Sequence, residues 1–247
     1  MKDYNEFWKI RKGAHGKHPS VRFRNHLIIR AARQILGSAQ INTILDVGCG
    51  NGDLLRELND RLFLNKRRVA LSGYDISEYQ IQQNRFHGLP FNFQVADFNE
   101  KVEINDRFYL IICSEVIEHL TNWKLSLENI ANMNEPGGYL ILTTQAGKRF
   151  KSDFDLGHLQ HFELIYLTDY LKTLNYDIII REKRGFPFYD LQKTVNSIFF
   201  SLSTDIARTE VNALTSVLFS ITYFLFRISI KSKKLGPQIF ILARKIS

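Results

Sequence analysis

The residues most suited to chemistry begin with Asp46-Val47-Gly48-Cys49-Gly50-Asn51-Gly52, an acid followed by three alternating glycines. Glycine adopts tight turns that other residues resist, and it lets a ligand approach the backbone closely. If a helix starts there, free N–H groups and a positive dipole end favour a polar or anionic group. Dinucleotide-binding folds use a related loop, so the pattern alone does not decide the ligand. Two more acids follow, Asp75 in Gly73-Tyr74-Asp75-Ile76-Ser77 and Asp97 in Ala96-Asp97-Phe98. Asp75 could accept hydrogen bonds from both hydroxyls of a ribose. Asp97 could receive an adenine amino group, with Phe98 flanking the ring. Together the three acids provide the contacts that a nucleoside needs.

These residues require a scaffold that brings them to one edge. Thr43 to Val47 is a short β-branched run ending in glycines, which reads as a buried strand, and Asp53 to Leu62 has a helical pattern. Val69 to Asp75, Phe91 to Ala96 and Phe108 to Cys113 read as strands two to four. The apolar character of the last two favours a parallel sheet covered on both faces. Ser77 suits a helix cap for a segment reaching about Phe86. Thr121 to Met133 reads as helix, Pro136-Gly137-Gly138 as a turn, and Tyr139 to Thr144 as strand five. Leu164 to Leu174 is helical, and Asp177 to Arg181 and Gln238 to Ala243 are the last strands. Strands alternating with helices predict a doubly wound α/β fold with right-handed crossovers. The three acids then lie at successive strand tips, on the carboxyl edge where such folds bind ligands.

With these segments in hand, the chain resembles the class I S-adenosylmethionine methyltransferases. Ile44 to Gly52 is similar to their first motif, Gly73-Tyr74-Asp75 and Ala96-Asp97 to the second and third. Ser114-Glu115-Val116-Ile117-Glu118-His119-Leu120 and Glu135-Pro136-Gly137-Gly138-Tyr139-Leu140 are similar to later ones. The resemblance covers roughly residues 40 to 182. It implies a mostly parallel seven-stranded Rossmann-like sheet whose last strand enters antiparallel beside strand six. It also implies S-adenosylmethionine as cofactor, held by Asp46, Gly48, Cys49, Gly50, Gly52, Asp75, Ile76, Asp97, Phe98 and Ser114. Asp46 is expected at the cofactor's amino end, or as a structural tie for the loop. Phe98 is expected at the adenine, or in the core.

Methyl transfer from a sulfonium is an in-line displacement in which holding the reactants in line supplies much of the acceleration. A hydroxyl acceptor also has a proton to lose, which calls for a base or a metal. His119 and His161 are the expected catalytic bases, with His158 a further candidate. Glu115 and Glu118, three apart, share a face if helical. With His119 and His161 they could hold a divalent cation. The alternative is a hydrogen-bond network supporting the cofactor loop. The leading expectation is methylation of a small molecule at oxygen. Gly157 to His161 and Gly185-Phe186-Pro187-Phe188 are similar to segments of ubiquinone and natural-product methyltransferases. A metal-dependent RNA 2′-O-methyltransferase is one alternative, and a non-catalytic subunit on the same fold another.

Composition bounds the setting. The chain has 247 residues, 45% hydrophobic and 23% charged, with a formal net charge of +8. That profile fits one globular α/β domain. Two cysteines, Cys49 and Cys113, make no disulfide framework, and no apolar leader opens the chain, so a cytoplasmic protein is expected. Eight Lys or Arg and no acid lie between Phe7 and Leu45, and six more without an acid run from Arg227 to the end. Such ends suit an anionic acceptor, nucleic acid or the inner membrane surface, or simply a solvated basic face. The expected organisation is an N-terminal helical cap (1–40), the cofactor-binding core (41–184), an apolar helical insertion (185–236) and the last strand (237–247). The insertion has two uncharged stretches, Thr194 to Thr204 and Val211 to Phe226. The second is 16 residues, about 24 Å as a helix, short of a roughly 30 Å hydrocarbon core. Asn212, Ser216, Ser220, Tyr223 and Arg227 make a polar stripe opposite Leu214, Val217, Leu218, Ile221, Leu225 and Ile228. That segment could be a lid over the acceptor, a homodimer interface or a peripheral membrane contact.

Overall fold

A computed structural model describes residues 4–10, 15–38, 41–64, 66–103, 105–198 and 213–246. Seven strands form one sheet: β1 Thr43–Val47, β2 Ala70–Asp75, β3 Asn92–Val95, β4 Phe108–Ser114, β5 Asn134–Gln145, β6 Tyr176–Arg184 and β7 Gln238–Lys245. Their order is β3-β2-β1-β4-β5-β7-β6. The first five are parallel, and β7 enters antiparallel between β5 and β6. Strand order reverses between β1 and β4, which opens a crevice at their carboxyl ends. The doubly wound α/β expectation holds, including the placement of β7.

Apolar side chains on both faces drive this layering. On one face, Phe23, Ile28 and Ala32 of α2 (Pro19–Ser38) and Leu55 and Leu58 of α3 (Asp53–Leu62) cover Ile44, Leu110 and Ile141. Ile81 of α4 (Glu78–Phe86) belongs to the same cluster. On the other face, Leu127 and Ile130 of α5 (Trp123–Met133) and Leu167 and Leu171 of α7 (Leu164–Thr173) join Leu45, Ile111 and Leu140. Ser77 caps α4 as expected, its Oγ accepting from the Gln80 N–H at 3.2 Å.

Three sequence expectations shift. Pro136-Gly137-Gly138 is not a turn before β5 but lies within it, beside a register shift between Phe108 and Leu110. A Cβ on Gly138 would come within 2.7 Å of the Tyr109 carbonyl, so glycine permits close backbone approach there. β6 is longer than Asp177 to Arg181, because β7 pairs with it from Tyr176 to Arg184. A short helix, α6 (Lys151–Leu156), precedes α7, and the third shift concerns the insertion, where α8 (Phe188–Ile198) precedes α9 (Ala213–Arg227). Most of Thr194 to Thr204, with Val211 and Asn212, lies outside the described residues. α9 rests on the body through aromatic residues. Phe226 is buried between Phe23 and Tyr189, at ring distances of 5.8 and 4.8 Å. The Tyr223 ring takes the Arg22 guanidinium at 4.3 Å. Tyr223 thus belongs to the packed side, and the predicted apolar face points outward, with Leu214, Val217, Leu218, Ile221 and Ile228 exposed.

Candidate active site

The glycine loop turns sharply between β1 and α3, with Gly48, Gly50 and Gly52 all at positive φ. Tyr74 at the end of β2 accepts the N–H groups of Gly48 at 2.7 Å and Cys49 at 3.1 Å through its carbonyl. Asp75 holds the loop as well: Oδ2 accepts the Gly50 N–H and Oδ1 the Ser77 N–H, both at 2.8 Å. Asn84 of α4 donates to the Gly50 carbonyl at 2.7 Å and is itself held by Gln80 at 3.1 Å. Neither amide stands out in the sequence; both are polar residues on the buried side of a short helix.

The acids are under electrostatic pressure. Burial pushes the Asp46 carboxyl up to about 8; the neighbouring Asp75 adds to this and Arg24 opposes it. Burial also raises Asp75, against the N–H groups of Ser77 and Gly50. Two carboxyls enclosed together favour a cation between them, because a positive group restores their charged forms. Asp97 accepts the Asn99 N–H at 2.8 Å and is half-buried, as is Ile76. Phe98 is 4% exposed and belongs to the core cluster with Tyr74, Ile117 and Trp123, so core packing is its role in the structure. Cys49 is buried, and desolvation raises its thiol well above the usual range.

Helix α1 (Tyr4–Ile10) lies across this loop. A Cβ on Gly50 would meet the Trp8 ring at 2.3 Å, so the indole rests directly on the glycine. Asn5 Oδ1 accepts from Ser77 Oγ at 2.9 Å and from the Tyr79 N–H at 3.2 Å. The Tyr4 ring meets the His119 ring edge-on at 6.1 Å. Its phenol is pushed up to about 12 by burial and by the charges of Glu118 and Asp75. The expected helical cap therefore reaches from the glycine loop to the histidines.

Beyond β4 the edge changes character. Glu115 stands at φ 57, a left-handed conformation that costs a residue with a side chain about 1 kcal/mol or more. The strained turn aims its carboxylate inward, where it accepts from Gln145 at 2.5 Å and Gln238 at 2.8 Å, with Arg24 at 3.8 Å. Burial raises this carboxyl, but Arg24 and the two amides outweigh burial and hold it below the ordinary value. Glu118 is fully buried, and burial together with the Glu115 charge raises it well above the usual range. Thr144 donates to its Oε2 at 2.8 Å, while Oε1 is buried without a hydrogen-bond partner. Ser114 exchanges a hydroxyl bond with Thr143 at 2.9 Å.

The three histidines form a row. Rings of His119 and His158 lie 4.8 Å apart, those of His158 and His161 5.2 Å. Carbonyls only accept, which assigns the tautomers. His161 Nδ1–H donates to the Gly147 carbonyl at 3.2 Å, so His161 Nε2 accepts from His158 Nδ1–H at 3.0 Å. His119 Nδ1–H donates to the Gly157 carbonyl at 3.1 Å. His119 and His158 thus each carry the lone pair on Nε2, whereas both nitrogens of His161 serve the network. Burial lowers His158 to about 3, with His119 contributing, and burial also lowers His161, with Lys193 contributing. His158 and His161 are neutral near pH 7.

Donor atoms of Glu118, His119 and His158, and of Asp153, His158 and His161, converge within 4.8 Å in each set. The set of Glu115, Glu118, His119 and His161, which the sequence offered as able to hold a cation, is not one of these. Asp153 is already compensated: Lys193 Nζ lies 3.1 Å from Oδ1, and the Phe150 N–H donates to Oδ2 at 2.8 Å. Arg24, Gln145, Asp153, Lys193 and Gln238 were not among the sequence candidates. The available signal was a polar residue at the end of an apolar run, Gln145 closing β5 and Gln238 opening β7.

Residues 20–180 match a family model described as a methyltransferase domain. The ubiquinone biosynthesis O-methyltransferase of Alkalilimnicola ehrlichii is 32% identical over 125 residues, 49% of this chain and 48% of that protein. The enzyme of the same name from Coxiella burnetii is 34% identical over 113 residues, 44% of this chain and 45% of its own. The chain thus spans about half the length of the curated relatives it matches. Among solved structures, the [4+2]-cyclase SpnF has a TM-score of 0.58 at 16% identity, covering 88% of this chain and 80% of its own. An S-adenosylmethionine-dependent methyltransferase from Mesorhizobium loti has a TM-score of 0.54 at 16% identity, covering 87% and 96%. At these identities the structural likeness is one of fold.

Proposed function

The chain belongs to the methyltransferase domain family, within the class I S-adenosylmethionine-dependent methyltransferases, and from that premise we propose that it methylates an oxygen of a small-molecule acceptor with His119 as general base. The residues present fit the cofactor. A Cβ at Gly48 would strike Val116 at 2.4 Å, so the cradle exists only with glycine. The enclosed pair Asp46 and Asp75 suits a ligand carrying an ammonium and a ribose. S-adenosylmethionine, when bound, supplies an electrophilic methyl group on sulfur. Asp46 would take the ammonium, and Asp75 would accept from the ribose with the lone pairs left after its two loop bonds. Asp97 would meet the adenine edge, with Ser114 and Ile76 beside the cofactor.

His119 carries the reading. Its Nδ1–H donates to Gly157, which puts the ring's lone pair on Nε2, the nitrogen that acts as the proton acceptor at the β4 end of the cleft. His119 Nε2 removes the acceptor's hydroxyl proton as the oxygen attacks, and the Gly157 carbonyl steadies the imidazolium. His161 acts as a positioning residue, orienting His158 through its Nε2. Arg24 and Gln238 keep Glu115 ionised, which favours positive charge developing on the row. The curated relatives are O-methyltransferases, which supports oxygen as the atom methylated.

The test is transfer of labelled methyl to a panel of phenols and catechols by wild type and His119→Asn. The variant is expected to lose about a thousandfold in kcat with little change in cofactor affinity. An unchanged kcat would remove His119 as base. The two converging donor sets favour a second reading, a divalent-metal RNA 2′-O-methyltransferase. Transfer to short RNA, abolished by chelator and restored by added metal, would replace the small-molecule reading.

A further inference from the structure

The insertion presents a surface that the methyl-transfer site does not use. Leu214, Val217, Leu218, Ile221 and Phe224 recur at helical spacing along the outer side of α9, continued by Ile228 just past its end, and Leu214 is 70% and Phe224 61% exposed. Six large apolar side chains on one stripe exceed the scatter normal for a soluble surface. Two hydroxyls on this helix that would resist an apolar medium are satisfied within it. Ser220 donates to the Ser216 carbonyl and Thr222 to that of Leu218, each at 2.9 Å.

The chain leaving α9 is tied to the edge of the sheet by paired hydrogen bonds between Lys183 and Ser232, at 2.6 and 3.1 Å. This fixes Lys231 and Lys233 beside a groove of about 490 Å³ that Arg30 and Arg181 also line. Its acid, Glu182, is taken by Arg184 at 2.7 Å. Arg30, Arg181, Lys231 and Lys233 have no acid partner among the described residues. Arg227 and Lys234 add two more exposed cations. No acid occurs from Ala213 to the end of the chain.

We propose that α9 and this basic groove dock the protein on an anionic lipid bilayer. The apolar stripe enters the acyl boundary, and the four unpaired cations take headgroup phosphates. A helix lying in the interface combines such a stripe with flanking Lys and Arg. It lies on the bilayer and does not span it: among the described residues no helix is long and apolar enough to cross a membrane. Because Phe226 is wedged between Phe23 and Tyr189, α9 is held against the folded body, and docking brings the enzyme with it.

Flotation with phosphatidylcholine vesicles, with and without phosphatidylglycerol, tests this on the full chain. Wild type is expected to float with the anionic vesicles and to be released by salt. Leu218→Ser combined with Ile221→Ser should weaken binding by about tenfold or more. Lys231→Gln with Lys233→Gln should weaken it by about tenfold or more. Circular dichroism and methyl transfer to a soluble acceptor should be unchanged in both. Equal binding to neutral and anionic vesicles, or no binding to either, overturns the proposal. So does light scattering that shows a dimer which the Leu218/Ile221 variant dissolves, since a second copy would then cover the stripe.

Discussion

The strand-tip edge is two half-sites made by opposite means. From β1 to β3 it is made largely of backbone: three glycines, the carbonyl of Tyr74, and the acids Asp75 and Asp97 accepting backbone N–H groups. From β4 to β7 it is made of side chains from distant parts of the chain. Arg24 of α2, Gln145 of β5, Lys193 of α8 and Gln238 of β7 converge on Glu115 and Asp153. The first half suits a ligand that never varies, since backbone geometry changes little with sequence. The second suits the work of choosing an acceptor, because function resides in sites grafted on a fold.

Asp75→Ala probes the first half and should have the largest effect. It removes the acceptor for the Gly50 and Ser77 N–H groups together with the expected ribose contact. Bonds to a charged group are each worth about 1.5–3 kcal/mol, so calorimetry should read a loss of about a hundredfold or more in cofactor affinity. If affinity is retained, the loop is held by Tyr74 and Asn84 alone, and the contrast between the halves is weaker than drawn.

The second half is tested through pH. The folded state holds His158 far below the ordinary histidine value, at about 3, because of burial. Between pH 6.5 and that value the unfolded chain binds a proton that the folded chain refuses. Stability from this group is therefore complete above pH 6.5 and declines as pH falls, by at most about 1.4 kcal/mol per unit. His158→Gln removes the term, so its melting temperature should fall less steeply between pH 6.5 and 5 than that of wild type. Glu118 and Asp46, raised by burial, act with the opposite sign but are present in both proteins. Parallel slopes would mean that His158 is solvated and the row is open.

The same contrast explains what could be read in advance. A tight turn needs glycine locally, so Gly48, Gly50 and Gly52 announce themselves, as do Asp75 and Asp97 at the ends of apolar runs. Even there, Phe98 was ambiguous, because an aromatic at a strand tip suits a ligand and a core equally. The convergence of Gln145 with Gln238 depends on the antiparallel register of β5 and β7, 93 residues apart. No local pattern encodes that pairing. Glu115 and His119 were legible as a motif, but their partners Arg24 and Gly157 were not. For α9, hydropathy identified the apolar face correctly. Which side packs was decided by Phe219 and Phe226, bulky enough to fill the space against His18, Phe23 of α2 and Tyr189.

Helix α1 joins the halves, touching Gly50 through Trp8 and His119 through Tyr4. A cofactor held by the glycine loop must therefore alter the surroundings of Trp8. The sequence has two tryptophans, and the other, Trp123, is buried among Phe162, Tyr166 and Tyr170. In a Trp123→Phe protein, Trp8 emission should change on adding S-adenosylhomocysteine and saturate at the dissociation constant measured by calorimetry. Trp8→Ala should cost less than Asp75→Ala, about tenfold or less, since an indole resting on a glycine contributes apolar contact and no charged bond. Emission that stays constant while calorimetry records binding would detach α1 from the loop, leaving the histidine row without its cover.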